Sequence, residues 1–125
     1  MSRKRENVRQ CKAIRQLIDD NKYTKALELI DAIPLEEVGS LDDLYRYAEL
    51  YEKAERMDKK KEIFYHIYHR THSRYMLNRL LRLTIRMGDM EEARELYFAY
   101  EVAGPITLDT FELRYLLAKA EGEPP

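Results

Sequence analysis

The chain has 125 residues, of which 45% are hydrophobic and 36% charged, with a formal net charge of −1 and one cysteine, Cys11. That length suits a single domain able to bury roughly two-thirds of its unfolded surface, and the lone cysteine excludes an internal disulfide framework and a zinc-type cysteine cluster. The near-neutral balance excludes the strongly basic footprint of a nucleic-acid-binding domain. The apolar runs are too short to span a bilayer and none follows the basic start "MSRKRENVRQ", so the expected location is cytoplasmic, with no membrane partner.

Taken in order, the apolar residues recur at helical spacing, and the 4 Gly and 4 Pro fall between the periodic segments, so the fold class predicted is all-α. A first helix runs from about Glu6 to Asp20 with Ala13, Ile14, Leu17 and Ile18 inward. A second spans Tyr23 to Ile33 with Ala26, Leu29, Ile30 and Ile33 inward, and Pro34 stops it. Ser40 with Asp43 resembles a capping box with the shorter acid, opening a third helix from Leu41 to about Glu55. A fourth covers Lys59 to about Arg70. The fifth, from near Ser73 to Met87, carries Leu77, Leu80, Leu81 and Thr84 on one face and Met76, Leu83 and Met87 on another, the pattern of a helix packed between neighbours. Gly88 ends it in the left-handed conformation and Asp89 with Glu92 caps a sixth helix, Met90 to Ala103, which Gly104-Pro105 breaks. The seventh runs from about Leu108 to Glu121. It is either a polar cap or the first half of a further repeat.

Charge is distributed in blocks. Basic against acidic residues number six and one over 1–18, three and ten over 19–52, ten and three over 53–86, and three and nine over 87–125, so the net charge runs +5, −7, +7, −6. Either adjacent helix pairs neutralise one another, or a basic segment is presented to an acidic partner.

Sliding the corner at Gly88 back by 33 and then 34 positions aligns Leu29, Ile63 and Leu96; Ile30, Phe64 and Tyr97; and Ile33, Ile67 and Tyr100. The first helices align as Ala13, Tyr47 and Leu80; Ile14, Ala48 and Leu81; and Leu17, Tyr51 and Thr84. A period near 34 implies helical hairpins that cannot bury both faces alone and so stack on one another. In this respect the chain resembles the tetratricopeptide repeat family. Ala26 and Ala93 stand at that family's small-residue crossing, Phe64 and Tyr97 at its aromatic position, Tyr51 at its tyrosine and Pro105 at the proline that closes a unit. The likeness covers about residues 7–121 as units 7–40, 41–73 and 74–107 plus a helix at 108–121. It departs where Gln10, Leu44 and Leu77 replace tryptophan, where Ile14 and Leu81 replace a small residue, and where Lys60 replaces alanine. The resemblance implies a right-handed α-α superhelix of about seven helices with a concave groove; a compact, non-repeating bundle is the alternative.

In that family short peptides lie against the first helices. Carried over by position, the groove comprises Lys12, Arg15, Tyr45, Arg46, Glu49, Asn78, Arg79, Arg82 and Arg86. Arg79, Arg82 and Arg86 share one helix face, and arginine recognises carboxylates through a planar, two-pronged fork, which points to an acidic peptide. The competing reading is a solvated face pairing with acidic neighbours. The family's clamp for chaperone C-termini is not reproduced: Arg79 matches, while Cys11, Arg15, Arg46 and Tyr75 occupy the other four places.

The remaining motifs carry less. His66, His69 and His72 in "YHIYHRTH" lack an accompanying cysteine and read as a tyrosine-flanked surface cluster rather than a metal site. Tyr65, Tyr68, Tyr97, Tyr100 and Tyr115 read as core packing before interface, and Arg3-Lys4-Arg5 as a disordered start before a phosphate contact. Cys11 has no candidate His-acid pair in its repeat, and no glycine-rich phosphate loop occurs. The expectation is a non-enzymatic adaptor without cofactors, binding a protein or peptide partner. Its alternative is a span of a longer helical-repeat scaffold or a self-associating module, that is, a homo-oligomer.

Overall fold

The computed structural model describes residues 2–122, with side chains from Arg5 onward. Among the described residues there are seven α-helices and no strands: α1 (Ser2–Asp19), α2 (Tyr23–Ala32), α3 (Leu41–Lys53), α4 (Met57–Thr71), α5 (Arg74–Met87), α6 (Met90–Val102) and α7 (Leu108–Ala120). A single 3-10 turn, Leu35–Glu37, follows Pro34. The all-α expectation holds, and no described helix is long and apolar enough to cross a membrane. The chain forms two compact units, with the boundary inside α4 between His66 and Ile67.

In the N-terminal unit α1 packs on α2 and α2 on α3. Ile14, Ala26, Ile30, Ile33, Leu44, Tyr47, Tyr51 and Phe64 are buried there. The buried edge of α1 differs from the expected one: Ala13 is exposed, Leu17 and Ile18 are half-buried, and Cys11 takes the inward place with Ile14. Cys11 and Ile14 lie three apart and share a face, whereas Ala13 sits a quarter-turn away from Ile14. The helix also begins at Ser2, not near Glu6. Lys60, where a tetratricopeptide-like hairpin would have alanine, is buried to 7% exposure. It is accommodated by placing Nζ over the Phe64 ring, 5.2 Å from its centre, and by reaching Glu52 at 3.0 Å.

In the C-terminal unit α5 packs against both α6 and α7. Most of its two expected apolar faces is found: Met76, Leu77, Leu80, Leu81, Leu83 and Thr84 are all buried, and Thr84 satisfies its hydroxyl by donating to Leu80 O at 2.7 Å, whereas Met87, on the last turn beside the Gly88 corner, is exposed. Ala93, Leu96, Tyr100, Leu113 and Leu117 complete that core.

The repeat is written most plainly in the backbone. Asn21 (φ 59°), Glu55 (φ 59°) and Gly88 (φ 83°) are left-handed. After each, the next residue donates back across the corner: Lys22 N to Leu17 O at 2.8 Å, Arg56 N to Tyr51 O at 2.8 Å, and Asp89 N to Thr84 O at 3.3 Å. Each left-handed residue also donates to the carbonyl three before it, at 3.0 Å in all three cases. These are three copies of one Schellman corner, which satisfies the carbonyls a helix end leaves orphaned. They sit 34 and 33 positions apart, the register read from the apolar columns. The opening corners repeat as well: Ser40 Oγ accepts from Asp43 N at 3.3 Å and Ser73 Oγ from Met76 N at 3.4 Å, while Thr107 N donates to Thr110 Oγ1 at 3.0 Å. Burial follows the same register, since Ile33, Ile67 and Tyr100 are all buried, as are Ile14, Ala48 and Leu81.

Candidate functional site

The basic stripe of α5 is built by helix geometry and then by its neighbour. With Ser73 fixing the start of the helix, Asn78, Arg82 and Arg86 follow one another at four-residue steps, and Arg79 lies beside them. Asn78 is buried and accepts from Arg82 Nε at 2.6 Å, which orients the guanidinium. Arg82 Nη1 then donates to Glu112 at 2.8 Å and Nη2 lies 3.9 Å from Asp109, both on α7. Arg79 lies over the Tyr75 ring at 5.7 Å, and Arg86 is exposed on the last turn, where its charge also suits the helix C-terminus. The structure thus brings Asn78, Arg79, Arg82 and Arg86 onto one element and supplies Arg82 with two carboxylates from another.

The other predicted groove residues belong to the N-terminal unit. Arg15 grips Asp43 with both prongs, Nε to Oδ1 at 2.9 Å and Nη2 to Oδ2 at 3.1 Å. The hydrogen bond to Asp43 raises the Arg15 pKa further above its ordinary value. Asp43 is buried, and its backbone N–H meets the Ser40 cap. Its carboxylate therefore does not complete the reciprocal half of a capping box but ties α3 to α1. Arg46 stands 3.9 Å from Asp19, Lys12 is exposed, Tyr45 is half-buried and Glu49 is exposed.

A second polar cluster in that unit was not visible from sequence. Asp31 accepts from the Tyr51 hydroxyl and from Arg56 Nη1 at 2.9 Å, and the Arg56 guanidinium lies 4.9 Å from the Tyr51 ring centre. Arg56, then Tyr51, hold the Asp31 carboxyl below its usual range. Burial, then the bond to Asp31, pushes the Tyr51 phenol up, so it remains a donor. The cluster pins α2 to the end of α3, twenty or more positions away in sequence.

His72 has a left-handed backbone just past the end of α4, and its ring meets Tyr68 edge-on at 6.1 Å, with His69 tilted against Tyr68 at 5.7 Å. No group of three potential ligands is placed to hold a metal among the described residues. Cys11 is buried beside Tyr47, whose phenol is pushed up first by burial and then by that thiol. Of the tyrosines expected in the core, Tyr100 is buried, Tyr65, Tyr68 and Tyr97 are half-buried and Tyr115 is exposed; Tyr47 and Tyr51 take the deeper places. The side chains of Arg3 and Lys4 lie outside those described. No family model, no curated protein and no solved structure matches this chain.

Proposed function

We propose that this chain is a non-enzymatic protein–protein interaction adaptor. In this reading its tetratricopeptide-like hairpins stack as a right-handed superhelix and hold a carboxylate-bearing peptide against the first helix of each pair. The observation that supports it is the Arg82 site, in which an arginine oriented by Asn78 takes the carboxylate of Glu112 from a neighbouring helix. Arg79 and Arg86 extend the same chemistry along α5, and Arg15 shows it again with Asp43 in the other unit. A bound peptide is selected by charge-assisted hydrogen bonds from these forks and positioned by the rigid helices that carry them. No cofactor, nucleic acid or membrane enters the reading.

The test is an NMR titration with a glutamate-rich peptide and a lysine-rich control. The glutamate peptide alone shifts the resonances of Asn78, Arg79, Arg82 and Arg86, and Arg79→Glu with Arg86→Glu removes the effect. An unchanged spectrum at millimolar peptide sinks the proposal.

A further inference from the structure

We propose that Asp109 and Glu112 are a built-in competitor for the carboxylate site of α5, so that Arg82 takes an acidic partner only by releasing two acids of its own chain. The inference rests on the reading of α5 as a carboxylate-binding face and names the regulation of that face.

An arginine side chain carries its N–H donors on three nitrogens in one plane. In Arg82 each nitrogen already has an acceptor beside it. Nε donates to Asn78 Oδ1 at 2.6 Å, Nη1 to Glu112 Oε1 at 2.8 Å, and Nη2 lies 3.9 Å from Asp109 Oδ1. Asn78 is buried and occupies the inner edge, which leaves the Nη1 and Nη2 edge as the one that a carboxylate from outside can grip with both oxygens. Glu112 and Asp109 stand at that edge. A third carboxylate cannot join them there, because like charges a few ångströms apart repel and one cation does not balance three.

The competitor is fixed by the fold yet easily released. Thr110, Leu113 and Leu117 are buried and hold α7 in place, and Thr110 also receives the Thr107 N–H at the start of the helix. Leu108, Phe111 and Tyr115 stay exposed on the same helix. Asp109 and Glu112 lie one turn apart, so both acids come to Arg82 from one face. Their side chains are 59% and 55% exposed, against 34% for Arg82. Rotation of two surface side chains therefore frees the fork while α7 remains seated. Arg15 shows the contrast: its partner Asp43 has a side chain only 4% exposed, and that pair is a permanent tie between helices. Exposed pairs are weak and exchange readily, which suits a contact that is made and broken.

Tethering sets the threshold. Two acids held within reach of Arg82 act at a high effective concentration, so one free carboxylate loses to them. A segment carrying several acids succeeds, because it engages the neighbouring arginines of α5 as it displaces the pair.

The experiment is calorimetric titration of a glutamate-rich peptide into the full chain at about 0.15 M salt, and into Asp109→Ala with Glu112→Ala. Glu91→Ala with Glu95→Ala, at exposed positions of α6, removes the same charge away from the Arg82 cluster. The double α7 variant should bind about three- to tenfold more tightly, with helical circular dichroism unchanged, while the α6 control stays within about twofold of the parent. In the parent, saturating peptide should move the Glu112 side-chain carboxyl resonance towards its position in Arg82→Ala. Equal affinity of the parent and the α7 variant, or a Glu112 resonance indifferent to bound peptide, overturns the inference and leaves the carboxylate-binding reading standing. An equal gain in the α6 control overturns it by reducing the effect to net charge. Absence of binding to all three proteins overturns both.

Discussion

Arg74 lies flat on Tyr100, its guanidinium carbon 3.9 Å from the ring centre, while its Nε donates to the Tyr100 carbonyl at 3.0 Å. The pair joins the start of α5 to the end of α6 and crowds Gly104, where a β-carbon would meet Arg74 Nη1 at 2.9 Å and Cδ at 3.1 Å and the arginine would have to give way. Gly104→Ala should therefore cost about 1–2 kcal/mol, as other overpacking substitutions do. In an Arg74→Ala background the same change should be nearly neutral, and urea unfolding of the four proteins in this cycle measures the coupling.

Glu55 occupies a left-handed position that Gly88 fills without strain in the equivalent corner. Glu55→Gly should stabilise the protein by about 1 kcal/mol and Gly88→Ala should destabilise it by about as much. Thermal unfolding of the two variants, moving in opposite directions, is the check. A loss of stability in Glu55→Gly would show that the side chain, and not the backbone, matters there.

Removing Arg15 strands a buried carboxylate. Arg15→Ala should cost about 1–3 kcal/mol, less than for a fully enclosed pair because Arg15 is itself half-exposed. Arg15→Met combined with Asp43→Leu should recover most of the loss, because replacing both partners by apolar groups removes the stranded charge. Chemical denaturation separates the outcomes.

The Asp31 cluster should give the N-terminal unit an acid-sensitive component. Because Arg56 and Tyr51 hold the folded-state carboxyl below its ordinary value of 3.8, the stabilisation is fully present above that value. It is lost as pH falls through the lower folded-state value. Asp31→Asn should thus be less stable than the parent protein at pH 7, with the gap closing below about pH 4. The effect should stay under about 1 kcal/mol, since the pair is partly exposed and screened. Urea titrations of both proteins across pH 2–7 would show the convergence.

Much of the fold was legible because helices announce themselves locally. The two-faced pattern of α5, the Ser40 cap, the left-handed Gly88 and the Asp89 cap each depend on residues within a turn of one another. The 34-residue register was legible too, since burial at Ile33, Ile67 and Tyr100 repeats it. The left-handed Asn21 and Glu55 were hidden, because neither is the glycine that usually marks such a corner. The site was harder. The face of α5 was readable from Arg79, Arg82 and Arg86, but not the acids that Arg82 holds, because Glu112 lies thirty positions away and no local rule connects them. The same distance concealed the Asp31 cluster and the exposed face of α7, whose apolar residues look identical in sequence whether they point into a core or out of it.

The three identical corners also bear on how the chain finds its structure. Each closes within a few residues, so a hairpin can form before any distant segment arrives, and little loop entropy stands in the way. Collapse can begin at whichever pair forms first and spread outward. Backbone amides along α5, enclosed on two sides, would then be the slowest to exchange with solvent, and those of α1, buried along a single edge, among the fastest.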